Sequence, residues 1–458
     1  MRALVTPLVI VLLGAVACTG GASTTVSSAP PIISSSSAGP TPGAAASWPT
    51  YGGNPQRTDV ASADPAGPLR IAWQARLDGA VYGQPLLVGG SVIVATENDS
   101  FYSLNRSTGA VQWQVTVGTP VPLAALPCGD INPLGITGTP AYDQANGLVY
   151  AVAETSGYQH VLFGVNAATG AVAVRRGIPA PDGEPRYDQQ RPAMAIEDGR
   201  VYVAFGGLDG DCGPYRGSIV GIPLSGGGPL VSYVVPTSRE GAIWGTAGPV
   251  IGPGGTLYVS VGNGSVTSRA FDGSDSVTAL SPALRRTGIF APATWYTDSL
   301  NDLDLGSTQP ALLADGRLLA DGKQGTAYLL DASHLGGVGG QLASAPVCPA
   351  YGGAAVSGSV VYEPCESGGM AAISTAGGTI RVLWRGPSNA WGSPVVGGGA
   401  VWVIDWNSGT LYQLNQASGA VQRTLSLGTA LPHFASMSMS GDHAYIGTNE
   451  GVTCVSGA

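Results

Sequence analysis

The sequence is short of charge. Only 11% of its 458 residues are Asp, Glu, Lys or Arg, and the balance falls at −9. Nothing in such a chain neutralises a phosphate backbone, which excludes nucleic acid as a partner. Helical periodicity is nearly absent, and with it go the α/β architectures. Beyond the leader no apolar run is long enough to cross a bilayer. No Cys-x-x-Cys pair occurs, which removes the usual zinc and redox motifs and any Cys-x-x-Cys-His haem attachment. The four histidines, His160, His334, His433 and His443, show no ligand spacing and read as structural or surface residues. No serine sits in a nucleophile elbow, and no glycine-rich phosphate loop precedes a helix. Lysine is the rarest charge: Lys323 stands alone among nineteen arginines, in the glycine-flanked turn DGKQGTAYLLD (321–331). Codon bias can leave one survivor, but an ammonium is a compact charge on a flexible stem, and burial shifts its pKa as it does not shift a guanidinium's.

What is present begins with export signals. Arg2 precedes a short apolar run, Ala3 to Val16, that ends at AVAC (15–18). This reads as a signal peptide over 1–18 with a lipobox-like end, and Cys18 as the lipidated residue. Residues 19–46 are Ser, Thr, Pro, Gly and Ala with no charge, the composition of a disordered tether. The expected location is the outer face of the cytoplasmic membrane, held there by the N-terminal lipid alone, or the secreted fraction. Outside the cytoplasm cysteines pair. Cys348 and Cys365 are close in sequence and make the best pair, Cys128 with Cys212 is a second, and Cys454 is left single.

The remainder, 47–458, repeats. QPLLVGGSVIVAT (84–96), TPAYDQANGLVYAVA (139–153), RPAMAIEDGRVYVAF (191–205) and five later segments each give a short apolar strand, a Gly/Asp/Asn turn and an alternating strand rich in Val and Tyr. That is a hairpin signature. Pro85, Pro140, Pro192, Pro249 and Pro310 are separated by 55, 52, 57 and 61 residues. Many hairpins continue into a third strand ending in Asn-x-x-Thr/Ser-Gly-x-Val and then a fourth, as in YSLNRSTGAVQW (102–113). Four antiparallel strands repeated eight times predict an all-β fold, an eight-bladed β-propeller; a miscount of the short C-terminal unit would make it seven. The chain ends on a third strand, GVTCVSG (451–457), while LRIAWQARL (69–77) is an orphan fourth strand. Their union would complete the last blade and remove two open edges.

The strand-turn-TG-x-x-x-W unit and the opening segment SWPTYGGNPQRT (47–58) resemble the repeat of pyrroloquinoline quinone (PQQ) dependent dehydrogenases and of the non-catalytic assembly lipoproteins that share it. Trp113 fits the blade-docking tryptophan well, Trp384 and Trp73 more loosely. The resemblance implies PQQ and calcium in a funnel at the propeller axis. AIWGTAGPV (242–250) is similar to the floor segment and makes Trp244 the stacking residue. LYVSVGNGS (257–265) resembles the calcium strand, giving Asn263, with Asp209 or Asp211 as the nearest acidic ligand. LNDLDLGS (300–307) looks like the base motif, with Asp304 as base and Asp302 in reserve. Lys323 falls at the quinone-contacting position, and SNAWGSP (388–394) resembles a lining segment with Asn389 and Trp391. There are departures. Pro127-Cys128 stands where the dehydrogenases carry two adjacent cysteines, so their vicinal bridge cannot form, and Pro133 replaces an expected arginine. The expectation is an exported, tethered propeller, a monomer, that binds a small-molecule ligand in its funnel or another envelope protein. A PQQ- and calcium-dependent dehydrogenase of an alcohol or sugar is the alternative, and an assembly scaffold a third reading.

Overall fold

The structure, a computed structural model, describes residues 46–181, 184–265 and 268–457. The leader, Cys18 and nearly all of the expected tether lie outside them. The repeats fold into eight antiparallel sheets in chain order, each built on four strands: blade 1 (86–116), blade 2 (141–178), blade 3 (195–234), blade 4 (250–291), blade 5 (311–346), blade 6 (355–385), blade 7 (395–426) and blade 8 (437–457 with 69–76). Leu69–Arg76 pairs antiparallel with Gly451–Gly457, Leu69 opposite Gly457 and Arg76 opposite Gly451, so the first and last segments of the wheel share one sheet. The only α-helix among the described residues is one short turn, Trp295–Leu300, between blades 4 and 5.

Burial explains the pattern of each repeat. The second and third strands of a blade are covered on both faces by neighbouring blades, so Leu148–Thr155 and Gln159–Asn166 are buried almost throughout. The outermost strand, Val172–Ile178, is mostly exposed. The apolar clusters accordingly lie between blades: Leu86, Ile93 and Phe101 of blade 1 pack with Val149, Ala151 and Phe163 of blade 2. Burial of this kind drives the stacking.

Neighbouring blades are also tied by hydrogen bonds, in two ways. Trp73, Trp113 and Trp384 on fourth strands donate their indole N–H to Arg106 O, Ala167 O and Gln416 O in the next blade's turn, at 3.2, 3.1 and 3.0 Å. The ring lies flat on the turn glycine. A Cβ on Gly109, Gly170 or Gly419 would stand 2.5, 2.8 or 2.4 Å from it, which is why the Thr/Ser-Gly pair recurs. At three of the joints that lack the tryptophan, a second-strand tyrosine takes over. Tyr150, Tyr202 and Tyr258 donate to Leu224 O, Pro282 O and Ala332 O at 2.8, 2.7 and 2.8 Å across the joints from blade 2 to blade 5.

The opening segment closes the hub. Ala46–Trp48 adds to the inner edge of blade 1. Arg57, 1% exposed, donates to Pro249 O at 3.3 Å, Tyr51 O at 3.0 Å, Met194 O at 2.8 Å and the Thr50 hydroxyl. Val60 bridges to Val396. One segment thereby staples blades 1, 3, 4 and 7.

Candidate functional site

Strand ends and connectors from blades around the wheel converge on a cavity of about 490 Å3, lined among others by Arg191, Trp244, Asp304, Lys323, Tyr351 and Phe434. A larger groove of about 600 Å3 lies between blades 4 and 5, but backbone and mostly apolar or hydroxyl side chains line it, with Tyr258 and His334 its ionisable groups. The converging chemistry is in the funnel.

Local structure sets the charged centre. The helical turn Trp295–Leu300 ends in Asp302 at φ +53, a left-handed position that aspartate tolerates better than most residues, and the chain then runs extended into Asp304. The Lys323 turn presses on this loop from blade 5. Lys323 N donates to Asp304 O at 3.0 Å, and a Cβ on Gly322 would stand 2.4 Å from that carbonyl oxygen, so only glycine allows the approach. Lys323 Nζ then lies 2.7 Å from Asp302 Oδ1 and 2.7 Å from Asp304 Oδ2, and 5.6 Å over the Trp244 ring. Trp244 Nε1 donates to Asp304 Oδ1 at 3.4 Å.

Burial opposes the lysine charge, yet Asp304 and Asp302 outweigh it and hold the ammonium well above its ordinary value. Burial dominates at Asp304, which is wholly inaccessible, and its pKa stays raised despite the ammonium. Behind it Asp275 is pushed well above the carboxylate range by burial and by Asp304, and accepts Leu305 N–H at 3.1 Å and the Ser299 hydroxyl.

Arg191 stands near the same indole, its guanidinium 4.7 Å over Phe434 and 5.9 Å over Trp244. Its Nε is buried without a hydrogen-bond partner. A void of about 20 Å3, lined by Tyr51, Gln84 and Arg191 among others, separates this floor from the hub staple. At the mouth His433 Nδ1 lies 3.5 Å from Asp130 Oδ2 and, with Arg191, holds that carboxyl below the ordinary range, and the Tyr215 hydroxyl donates to Asp211. The disulfide Cys128–Cys212, Cα atoms 6.2 Å apart, ties these two stretches of the mouth together. Cys348–Cys365 closes a second bridge at 5.6 Å, and Cys454 is free and buried.

Trp244, Lys323, Asp304, Asn263, Asp209 and Asp211 thus line one cavity. Asp302 touches it through Lys323. Asn389 and Trp391 do not line it. Asn389 donates to Asp405 and the Tyr412 hydroxyl, both at 2.9 Å, within blade 7. Trp391 stacks parallel to Trp406 at 5.3 Å in a neighbouring cleft of about 170 Å3 that shares Tyr351 and Phe434 with the funnel. Arg191, Tyr351, Phe434, Asp130 and His433 were not anticipated from sequence. Arg191 carried a signal. The residues before the blade prolines are Gln84, Thr139, Arg191, Gly248, Gln309 and Ser393, and only one of them is charged.

Calcium does not fit what is gathered here. Among the described residues no three His, Cys, Asp or Glu side chains assemble as a metal-ligand set. The lysine ammonium already neutralises Asp304, and a tyrosine engages Asp211. A quinone tricarboxylate would find the indole platform but a single cation without a carboxylate partner, Arg191.

A family model described as outer membrane protein assembly factor BamB matches residues 60–204. The chain is 29% identical to the outer membrane protein assembly factor BamB of Yersinia pestis over 107 residues, which is 23% of this chain and 26% of that one, so the match spans about a quarter of the relative's length. Among solved structures it resembles the quinohemoprotein alcohol dehydrogenase of Comamonas testosteroni, with TM-score 0.64 and 15% identity over 89% of this chain and 80% of that one. It also resembles BamB from Moraxella catarrhalis, with TM-score 0.59 and 16% identity over 84% and 99%. Both likenesses are of fold. With its repeats and its closed wheel of eight blades the chain is an eight-bladed β-propeller, and its segment 60–204 is similar to the BamB family model.

Proposed function

We propose that the chain is an exported binding module, tethered through Cys18, whose propeller funnel receives a small ligand. One observation carries this: Arg191, Trp244, Asp304, Lys323, Tyr351 and Phe434 come from segments up to 243 residues apart (191 to 434) and converge on one cavity large enough for a small organic molecule. Buried charges beside an aromatic platform are costly in a purely structural part of a fold, and pockets of this kind are the usual ligand sites.

The dehydrogenase reading has Trp244, Asp304 and Lys323 together in its favour. Against it stand the lack, among the described residues, of three Asp, Glu, His or Cys side chains gathered as a metal-ligand set, and a base clamped by an ammonium at 2.7 Å. The BamB relatives are named for outer-membrane protein assembly, and an envelope protein as partner is the form their likeness would give this module. The test is isothermal titration of purified protein with PQQ, with and without calcium, alongside dye reduction across alcohols and sugars. Binding without turnover supports the module, and calcium-dependent dye reduction that Asp304→Asn abolishes would replace it with the enzyme. Lys323→Arg should weaken any ligand that lies on Trp244.

A further inference from the structure

We propose that the funnel takes a small zwitterion of the amino-acid type, with its carboxylate on Arg191, its ammonium toward Asp209 and its apolar body against Trp244, Tyr351 and Phe434. This rests on the funnel being a binding site and names the chemistry of its ligand.

The argument is a pairing of charges. Lys323 is held by Asp302 and Asp304, Asp130 by His433, and Asp211 by Tyr215. Two charged side chains of the cavity remain without a hydrogen bond or ion pair among the described residues, Arg191 and Asp209. Both belong to blade 3, Arg191 just before its first strand and Asp209 just after its second, Arg200–Gly207. Arginine does not shed its proton inside proteins. Here its Nε is orphaned and two rings face it, while the acidic groups that act on its charge, Asp130 and Asp209 among them, do so without a hydrogen bond or ion pair. Cation–π contacts are worth about 0.5–2 kcal/mol, whereas the effective penalty for burying an ion is several. A ligand carboxylate would complete the guanidinium with charge-assisted bonds in its fork geometry.

A polyanion is disfavoured, because Asp130, Asp209, Asp211, Asp302 and Asp304 all lie in or beside the funnel. A single carboxylate carried with a cationic group matches what is left over. The disulfide between Cys128 and Cys212, three residues beyond Asp209, fixes the mouth on which the second contact depends.

Calorimetry with four probes tests this: phenylalanine, its amide, its N-acetyl derivative and PQQ. Phenylalanine should bind best. Loss of either charge should weaken binding roughly 10- to 100-fold, the usual worth of a hydrogen bond to a charged group. Arg191→Gln should make phenylalanine no better than its amide, and Asp209→Asn no better than the N-acetyl form, in proteins whose unfolding midpoints match wild type. Arg191→Lys, which keeps the charge, should retain part of the preference. If PQQ binds and the zwitterion does not, the funnel is a site but the ligand class assigned here is wrong. If none of the four binds, the zwitterion proposal and the funnel reading both fall. Binding of phenylalanine that Arg191→Gln leaves unchanged also overturns the proposal.

Discussion

Two arginines, one in the hub staple and one in the funnel, are treated in opposite ways. Arg57 in the staple is 1% exposed and donates to three carbonyls and a hydroxyl. Arg191 in the funnel has two aromatic faces and an orphaned nitrogen. The first is satisfied by the fold and the second is left for something else. Removing them should separate the two most widely. Arg57→Met strips the donor from buried carbonyls of blades 3 and 4 and is expected to cost about 3–5 kcal/mol. Arg191→Met replaces a charge that no hydrogen bond or ion pair holds, only the more distant Asp130 and Asp209, by an apolar side chain of similar reach and should change stability by less than about 1 kcal/mol, in either direction. Urea unfolding midpoints read both. Equal losses would make Arg191 a structural residue and erase the contrast.

Lys323 lies between these extremes, since it is in the funnel and yet fully paired. Lys323→Met leaves Asp304, wholly buried, beside Asp275 without its counter-charge. A loss of about 2–4 kcal/mol is expected, and the double variant Lys323→Met/Asp304→Leu should recover much of it, since removing both partners of a buried pair costs less than removing one. A double variant no more stable than the single one would deny the pair.

The hub and the blade tops also carry carboxyls that burial keeps neutral. Asp59, beside Arg57, is pushed up to about 8 by burial, as are Glu97 and Asp99. A carboxyl raised in the folded state contributes stability that is complete below its unfolded value near 4 and is lost as pH rises through the folded value. The melting temperature should therefore fall between pH 6 and pH 9, and Asp59→Asn should flatten part of that slope. A melting temperature level across this window would mean these groups ionise with little penalty.

The wheel was legible because its physics is periodic. Alternating strands, turn glycines and the orphan segment 69–77 each imply local pairing, and together they imply closure. The cluster at Lys323 was legible for a different reason: Trp244, Asp304 and Lys323 stand in segments that resemble a known family in order. What escaped notice lies in connectors, where no period helps. Tyr351 and Phe434 come from loops before blades 6 and 8, and nothing in their spacing says that their rings stack at 6.2 Å. The tyrosine docks of blades 2 to 4 were hidden because a tyrosine in a β-strand is unremarkable until its hydroxyl meets a carbonyl on the next blade.

The finest division is within the lysine clamp itself. Asp304 is wholly buried and Asp302 is 64% exposed, yet both stand 2.7 Å from the same ammonium. Water screens the outer pair, and exposed ion pairs are worth roughly 0–1 kcal/mol. Asp302→Asn is a clean probe because asparagine accepts the left-handed φ of +53 as readily as aspartate, so backbone strain does not enter. It should lower stability by less than about 1 kcal/mol, and raising the salt concentration should shrink the difference further. A loss comparable to that of Lys323→Met would mean that the outer carboxylate, not the buried one, fixes the ammonium over the indole.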